Sequence, residues 1–195
     1  MGRLQTVSHS SDRFLDRQEA GRLLAGELAH LRSHEVVVLG IPRGGVMVAR
    51  ELAAALGGEL DVILSRKLRA PGYPELAIGA VAEDGSVFLH PRALWETGAD
   101  ERYIEQERRL QLEEIVRLSQ LCRAVRPKVS FEGKTVVVTD DGVATGATAQ
   151  ASFWAVRRER PKRLIGAFPV GSEESVGRLA EDVDELVCLR VPPFF

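Results

Sequence analysis

Thr135-Val136-Val137-Val138-Thr139-Asp140-Asp141-Gly142-Val143-Ala144-Thr145-Gly146-Ala147-Thr148 joins three local signals without a gap. It opens on a β-branched run that reads as a buried strand. Two adjacent acids follow at the strand's carboxyl end. Small and hydroxyl-bearing residues then lead into a helix read from Gly146 to Arg158. A helix start exposes unpaired N–H groups and the positive end of a dipole, which together favour phosphate. Gly146 and Ala147 let an anion reach the backbone, and Thr145 and Thr148 add hydroxyl donors. The carboxylates of Asp140 and Asp141 would repel phosphate but accept hydrogen bonds from sugar hydroxyls. A ribose 5-phosphate satisfies both halves, with its phosphate over Val143, Ala144, Thr145, Gly146, Ala147 and Thr148.

Outward from this segment, apolar runs and amphipathic stretches alternate. Val36 to Leu39 reads as a buried parallel strand stopping at Gly40, and Val46 to Leu56 as a helix ended by Gly57-Gly58. Leu60 to Leu64, Leu164 to Phe168 and Leu186 to Leu189 read as strands, and Glu173 to Glu181 as a helix. Residues 16–33 place Leu23, Leu24, Leu28 and Leu31 near helical spacing. Residues 66–76 hold Pro71, Gly72 and Pro74, so a long basic loop is expected there. Ala77 to Val81 and Val87 to Leu89 pair across a turn at Glu83-Asp84-Gly85-Ser86. Residues 100–126 read as one long helix closed by Pro127. Its apolar stripe is Ile104, Leu110 or Leu112, Ile115, Leu118, Leu121 and Val125. The alternation predicts an α/β fold, Rossmann-like, with a mainly parallel sheet flanked by helices. Ligands in such sheets sit at the carboxyl ends of strands, which singles out the loops after Leu39, Leu64 and Val138.

The segment 135–148 resembles the phosphoribosyl pyrophosphate (PRPP) signature of the type I phosphoribosyltransferases: apolar residues, two acids, two apolar residues, then Ala-Thr-Gly-x-Thr. Thr139 and Gly142 depart from it, standing where the family prefers apolar residues. The resemblance covers about residues 35–170 and implies that family's fold, with a small hood contributed by the termini. It implies transfer of the 5-phosphoribosyl group from PRPP to a nitrogenous base with release of pyrophosphate. Asp140 and Asp141 would then hold the ribose and, partly through water, Mg²⁺. Gly40-Ile41-Pro42-Arg43-Gly44-Gly45 would be the pyrophosphate loop, which the family often builds with a strained peptide bond. There Gly44 and Gly45 would present N–H groups and Arg43 a guanidinium. Arg66 and Lys67, with Arg69 as a further cation, open a loop resembling the one that closes over the reaction centre in the adenine and orotate branches. Residues 66–80 also resemble small bacterial phosphoribosyltransferases without an assigned acceptor. In that reading Lys67 and Glu75 belong to the catalytic group, Glu75 meeting the nucleophile or metal and Tyr73 the base or the lid. Phe168, Pro169 and Val170 would line the base site. Ala144 stands where 6-oxopurine enzymes of the family carry an acid, which disfavours hypoxanthine and guanine.

Length and charge weigh on the rivals. A chain of 195 residues suits a single domain and is too short for the duplicated fold of a PRPP synthetase. Its abrupt end at Pro192-Pro193-Phe194-Phe195 leaves room for a further C-terminal segment. The formal net charge is -2, and no basic face or added helix-turn-helix is evident. Nucleic acid is therefore a poor partner. A PRPP-sensing regulator of the same fold, binding nucleic acid or a protein, is the alternative. Cys122, on the helix stripe, and Cys188, in a strand, read as core residues of a reducing, cytoplasmic protein. His30 and His34 have i, i+4 spacing but lack the intervening Glu of a metalloprotease helix. No apolar run reaches membrane-spanning length, and the long helix's stripe could serve a homodimer.

Overall fold

The computed structural model describes residues 2–32 and 34–194; Phe195 lies outside the described residues. Its centre is a six-stranded sheet. In chain order the strands are β1 (Arg3–Ser8), β2 (Val36–Gly40), β3 (Glu59–Val62), β7 (Thr135–Thr139), β8 (Arg163–Val170) and β9 (Glu185–Arg190). In space they run β1-β9-β8-β7-β2-β3, every neighbour parallel. A second, antiparallel sheet of β4 (Ser65–Ala70), β5 (Tyr73–Ala82) and β6 (Val87–Leu89) is inserted between β3 and β7. The helices are α1 (Arg17–Glu27), α2 (Gly45–Leu56), α3 (Pro91–Thr97), α4 (Glu101–Val125), α5 (Ala147–Arg158) and α6 (Glu173–Leu179).

Alternation along each central strand sorts two cores. Val136, Val138, Leu164 and Phe168 face Phe153 of α5 and Leu179 of α6. Val137, Ile165 and Ala167 face Leu24 of α1 and Leu52 of α2. Both faces are covered, which is why these strands read as continuous apolar runs. Gly57 ends α2 in the left-handed conformation, as its position predicts.

Four expectations change. The expected long loop at 66–76 is instead the β4–β5 hairpin, turning at Pro71-Gly72. Pro74 is tolerated because β6 pairs only with Gly79 to Val81, leaving that side of β5 open around residue 74. β1 is a strand without an apolar run; it lies at the sheet edge, with Arg3, Leu4 and Val7 exposed and Gln5, Thr6 and Ser8 half-buried. The sheet thus gains an unexpected strand before residue 35, while β9 falls where a strand is expected. The stripe of α4 holds from Ile104 to Leu118, with Leu112 rather than Leu110, and departs from the expected one at its end. Leu110, Leu121 and Val125 are exposed, whereas Ile104, Leu112, Ile115, Leu118 and Cys122 pack against the inserted sheet. Phe168 is fully buried against Phe153, so it belongs to the core and not to a ligand wall. Cys188 is buried in β9, and burial pushes its thiol up to about 12. No described helix is long and apolar enough to cross a membrane.

Candidate active site

β2 and β7 lie side by side, with Gly40 opposite Thr139. α2 leaves β2 toward one face and α5 leaves β7 toward the other. Such a divergence opens a crevice at the carboxyl ends of the strands. The two loops singled out in the sequence meet there. A Cβ on Gly45 would stand 2.7 Å from the Asp140 Cα and the Thr139 carbonyl oxygen. One on Gly44 would stand 2.0 Å from Asp141 Oδ2. Only glycine lets the first loop approach the acids this closely. The Pro42–Arg43 peptide is cis, and the Arg43 side chain is exposed.

Helix caps divide the six α-helices into two groups. Side chains of Asp16, His90, Asp100 and Ser172 cap α1, α3, α4 and α6. α2 and α5 start at Gly44 and Gly146 without a side-chain cap. At α5 the first-turn N–H groups are left for another acceptor. At α2 the Gly45 N–H is already taken, by the Ile41 carbonyl at 3.1 Å and by the Asp140 carboxyl. The Met47 N–H donates to the Gly44 carbonyl at 3.2 Å. Gly45 thus departs from its expected role as a donor. Both uncapped ends flank Asp140 and Asp141. Gly146 holds φ 73°, and a Cβ there would also press on Leu179 at 3.2 Å. The loop carbonyls are tied from α6 and its cap. Ser172 Oγ and Ser175 Oγ donate to the Ala144 carbonyl at 3.0 and 2.6 Å, and Arg178 donates to that of Thr145. Ala144, Thr145 and Thr148 are exposed, while Gly146 and Ala147 are buried at the helix start. Val143 departs from its expected role. Its N–H is taken by the Val170 carbonyl at 2.8 Å and its side chain is in the core, so it fixes the loop and offers no donor to a phosphate.

The two acids differ. Asp140 accepts the Asp141 N–H at 2.8 Å. Burial, with the Asp141 charge beside it, pushes its carboxyl up to about 7, although the N–H groups of Asp141 and Gly45 pull the other way. Asp141 is half-buried and accepts Arg17 Nε at 2.9 Å and Nη2 at 2.7 Å on Oδ2. Arg17 opens α1 and carries no local signal that would assign it to the site.

Arg17 and Asp141 also line a cavity of about 460 Å³. Its walls include Ser10, Asp12, Phe14, Pro169, Val170 and Pro192. Residues 9–16 are held there by β9 and the residue after it. The Arg190 guanidinium lies 3.7 Å from the Phe14 ring centroid, and its Nη1 donates to the Asp12 carbonyl at 2.6 Å. His9 Nδ1 meets the Val191 carbonyl at 3.1 Å. Of the expected base-lining residues, Val170 is in this wall and Phe168 is not.

The hairpin residues gather elsewhere. Lys67 Nζ pairs with Glu75 Oε2 at 3.3 Å, and Glu75 is largely exposed. Both face a separate cavity of about 290 Å³ with Arg66, Arg69, Gln111 and Thr148. Glu75 is therefore not brought to the Asp140–Asp141 pair. Hairpin and phosphate loop meet at Thr148, in the first turn of α5, and again in a cavity of about 420 Å³ that Glu75, Leu76 and Ala77 share with Ala144, Thr145 and Ala147.

Comparison with known proteins agrees with this geometry. The family model "Phosphoribosyl transferase domain" matches residues 10–192. A Mycobacterium tuberculosis (strain H37Rv) protein named "Putative phosphoribosyl transferase Rv0571c" is 43% identical over 182 residues, which are 93% of this chain and 41% of that protein. The chain thus spans less than half the length of the curated relatives it matches. The crystal structure of TT1426 from Thermus thermophilus is 50% identical, with a TM-score of 0.89 over 94% of this chain and 87% of that one. A hypoxanthine phosphoribosyltransferase from Staphylococcus aureus shares the fold at 13% identity, with a TM-score of 0.52 over 93% of this chain and 79% of that one. With a family match over nearly its whole length, and with two uncapped helices flanking an acid pair at the sheet's switch point, the chain belongs to the phosphoribosyl transferase domain family.

Proposed function

We propose that this chain transfers the 5-phosphoribosyl group of PRPP to a nitrogen of a small base and releases pyrophosphate. The observation that carries this reading is the pair of uncapped helix starts at Gly44 and Gly146 on either side of Asp140 and Asp141. PRPP carries an anion at each end and hydroxyls between them. Its 5-phosphate suits the free N–H groups at the start of α5 and the hydroxyls of Thr145 and Thr148. Its pyrophosphate suits Gly44 and Arg43, with Arg66 and Lys67 on the hairpin. The ribose hydroxyls would donate to Asp140 and Asp141.

The acids also suit a metal ion. Among the described residues, no group of three or more His, Cys, Asp or Glu side chains could hold an ion unaided. Mg²⁺ with PRPP does not need one, because it keeps waters and substrate oxygens and takes one or two carboxylates. Asp140, whose proton affinity burial has raised, gains a partner when a cation arrives. Bound there, the ion would supply Lewis-acid polarisation and a template for the leaving pyrophosphate.

In the transfer, the C1–O bond to pyrophosphate breaks and a C1–N bond to the base forms. The chain's residues hold the leaving group and orient the sugar, so catalysis is mainly positioning and charge stabilisation. The 460 Å³ cavity beside Asp141 is the place for the base, with residues 9–16 as its hood. Ala144 puts no acid at the loop position used by 6-oxopurine enzymes, which favours another acceptor. A panel of bases with PRPP and Mg²⁺, read by pyrophosphate release, tests the proposal. Release with one base is expected. Tight PRPP binding without release for any base would favour a PRPP-sensing regulator instead.

A further inference from the structure

α4 buries two polar side chains where its apolar face would otherwise be continuous. Glu107 and Gln111 are 5% and 7% exposed, one turn apart, on the face that carries Ile104 and Ile115. Leucine at either position would suit the neighbouring apolar cluster of Leu68 and Ile78. A buried carboxylate and amide are costly unless fully bonded, and even then add little net stability over apolar packing. What these two side chains hold is therefore the informative question.

Their hydrogen bonds lead to the hairpin. Glu107 Oε1 accepts the Arg69 backbone N–H at 3.2 Å and Arg69 Nε at 2.6 Å; Oε2 accepts Nη2 at 3.3 Å. Gln111 Nε2 donates to Glu107 Oε1 at 3.1 Å. Gln111 Oε1 accepts Arg66 Nε at 3.1 Å. The chain Arg69–Glu107–Gln111–Arg66 links two cations of β4 through one buried helix face. Burial alone would raise the Glu107 carboxyl, but the hydrogen bonds and charge of Arg69 and the Gln111 amide bring it below its ordinary value. The chain ends at Arg66, whose exposed side chain borders the 290 Å³ cavity with Lys67 and Thr148 of α5. Without the Gln111 oxygen, a long exposed arginine would sample many rotamers.

We infer that Glu107 and Gln111 are positioning residues: they preset the Arg66 guanidinium at the cavity it shares with Lys67 and Thr148, so that an anionic group of the ligand meets a fixed donor there. This rests on the reading of the site as one for PRPP and pyrophosphate. It replaces a swinging basic loop with a hairpin braced from α4.

Calorimetric titration of the full chain with pyrophosphate and with PRPP, each with Mg²⁺, tests the inference in wild type, Gln111→Leu, Arg66→Ala and the double variant. Gln111→Leu is expected to keep or raise the melting temperature and to weaken pyrophosphate binding about tenfold. In the Arg66→Ala background that loss should vanish, because Gln111 acts through Arg66. Gln111→Glu, which retains an acceptor for Arg66, should recover most of the affinity. Unchanged binding in Gln111→Leu, or an equal loss with Arg66 already removed, overturns the inference alone. Absence of PRPP and pyrophosphate binding in wild type overturns the underlying site reading as well.

Discussion

At the donor side of the site, two helices begin without side-chain caps and two glycines let a loop press against a pair of acids. At the side proposed for the acceptor, residues 9–16 form a wall held by Arg190 and the Val191 carbonyl, contacts that join opposite ends of the chain. The donor side uses backbone groups and conformations that few residue types can supply. The acceptor side uses ordinary side chains that other residues could replace without changing the fold. A ligand portion held by backbone leaves a strict sequence pattern, whereas one held by packed side chains does not. On the proposed function, recognition of a common donor and choice of a particular acceptor would be written in different ways within one site.

The sharpest test of that division is Asp141→Asn. The carboxamide keeps the shape of the donor side and loses its charge. Turnover should fall about 100-fold in steady-state assays while PRPP affinity changes only a few-fold. Unchanged turnover would break the assignment of the acids to the donor. Arg190→Ala addresses the other wall. It removes the cation–π contact with Phe14 and the bond to the Asp12 carbonyl. An increase of about fivefold in the KM for the base, with the KM for PRPP held, would sharpen the division. Equal increases in both would erase it.

The smallest effect concerns the difference between the two acids. Asp140 holds its proton up to about 7 in the folded chain, above its ordinary value of 3.8. The folded state therefore binds more protons, and stability falls as pH rises from the ordinary range through about 7. Asparagine carries no such charge. Asp140→Asn should raise the melting temperature by a few degrees at pH 8 and by less at pH 5, in the absence of ligand. An equal shift at both pH values would contradict the raised proton affinity.

The parts of the fold that can be read from the chain are those where local chemistry is decisive. Val136 to Val138 and Val36 to Leu39 are apolar on both faces because helices cover both faces. Gly57 ends α2, and the Ala-Thr-Gly-x-Thr run opens α5. Sequence and structure part where distant contacts decide. Pro71, Gly72 and Pro74 suggest a loop, yet only the first two make a turn. The strands on either side are secured by α4, far along the chain. The same helix follows its apolar pattern only in part, since Glu107 and Gln111 interrupt its buried face and Leu121 and Val125 face solvent. Arg17 and Arg190 reach the site across the fold, and nothing beside them in sequence marks them for it.

The closeness of Asp141 to Gly44 sets the terms of ligand entry. The carboxylate lies where a side chain on Gly44 would be, so the resting protein seats an anion of its own against the start of α2. An incoming oxygen that takes that position must first displace the carboxylate and, with it, Arg17. Salt then acts in opposite directions on one event. It screens the attraction between ligand and site, and it loosens the internal pair that competes for the same space. Glycine at residue 44 thus provides a vacancy that the protein itself fills with Asp141.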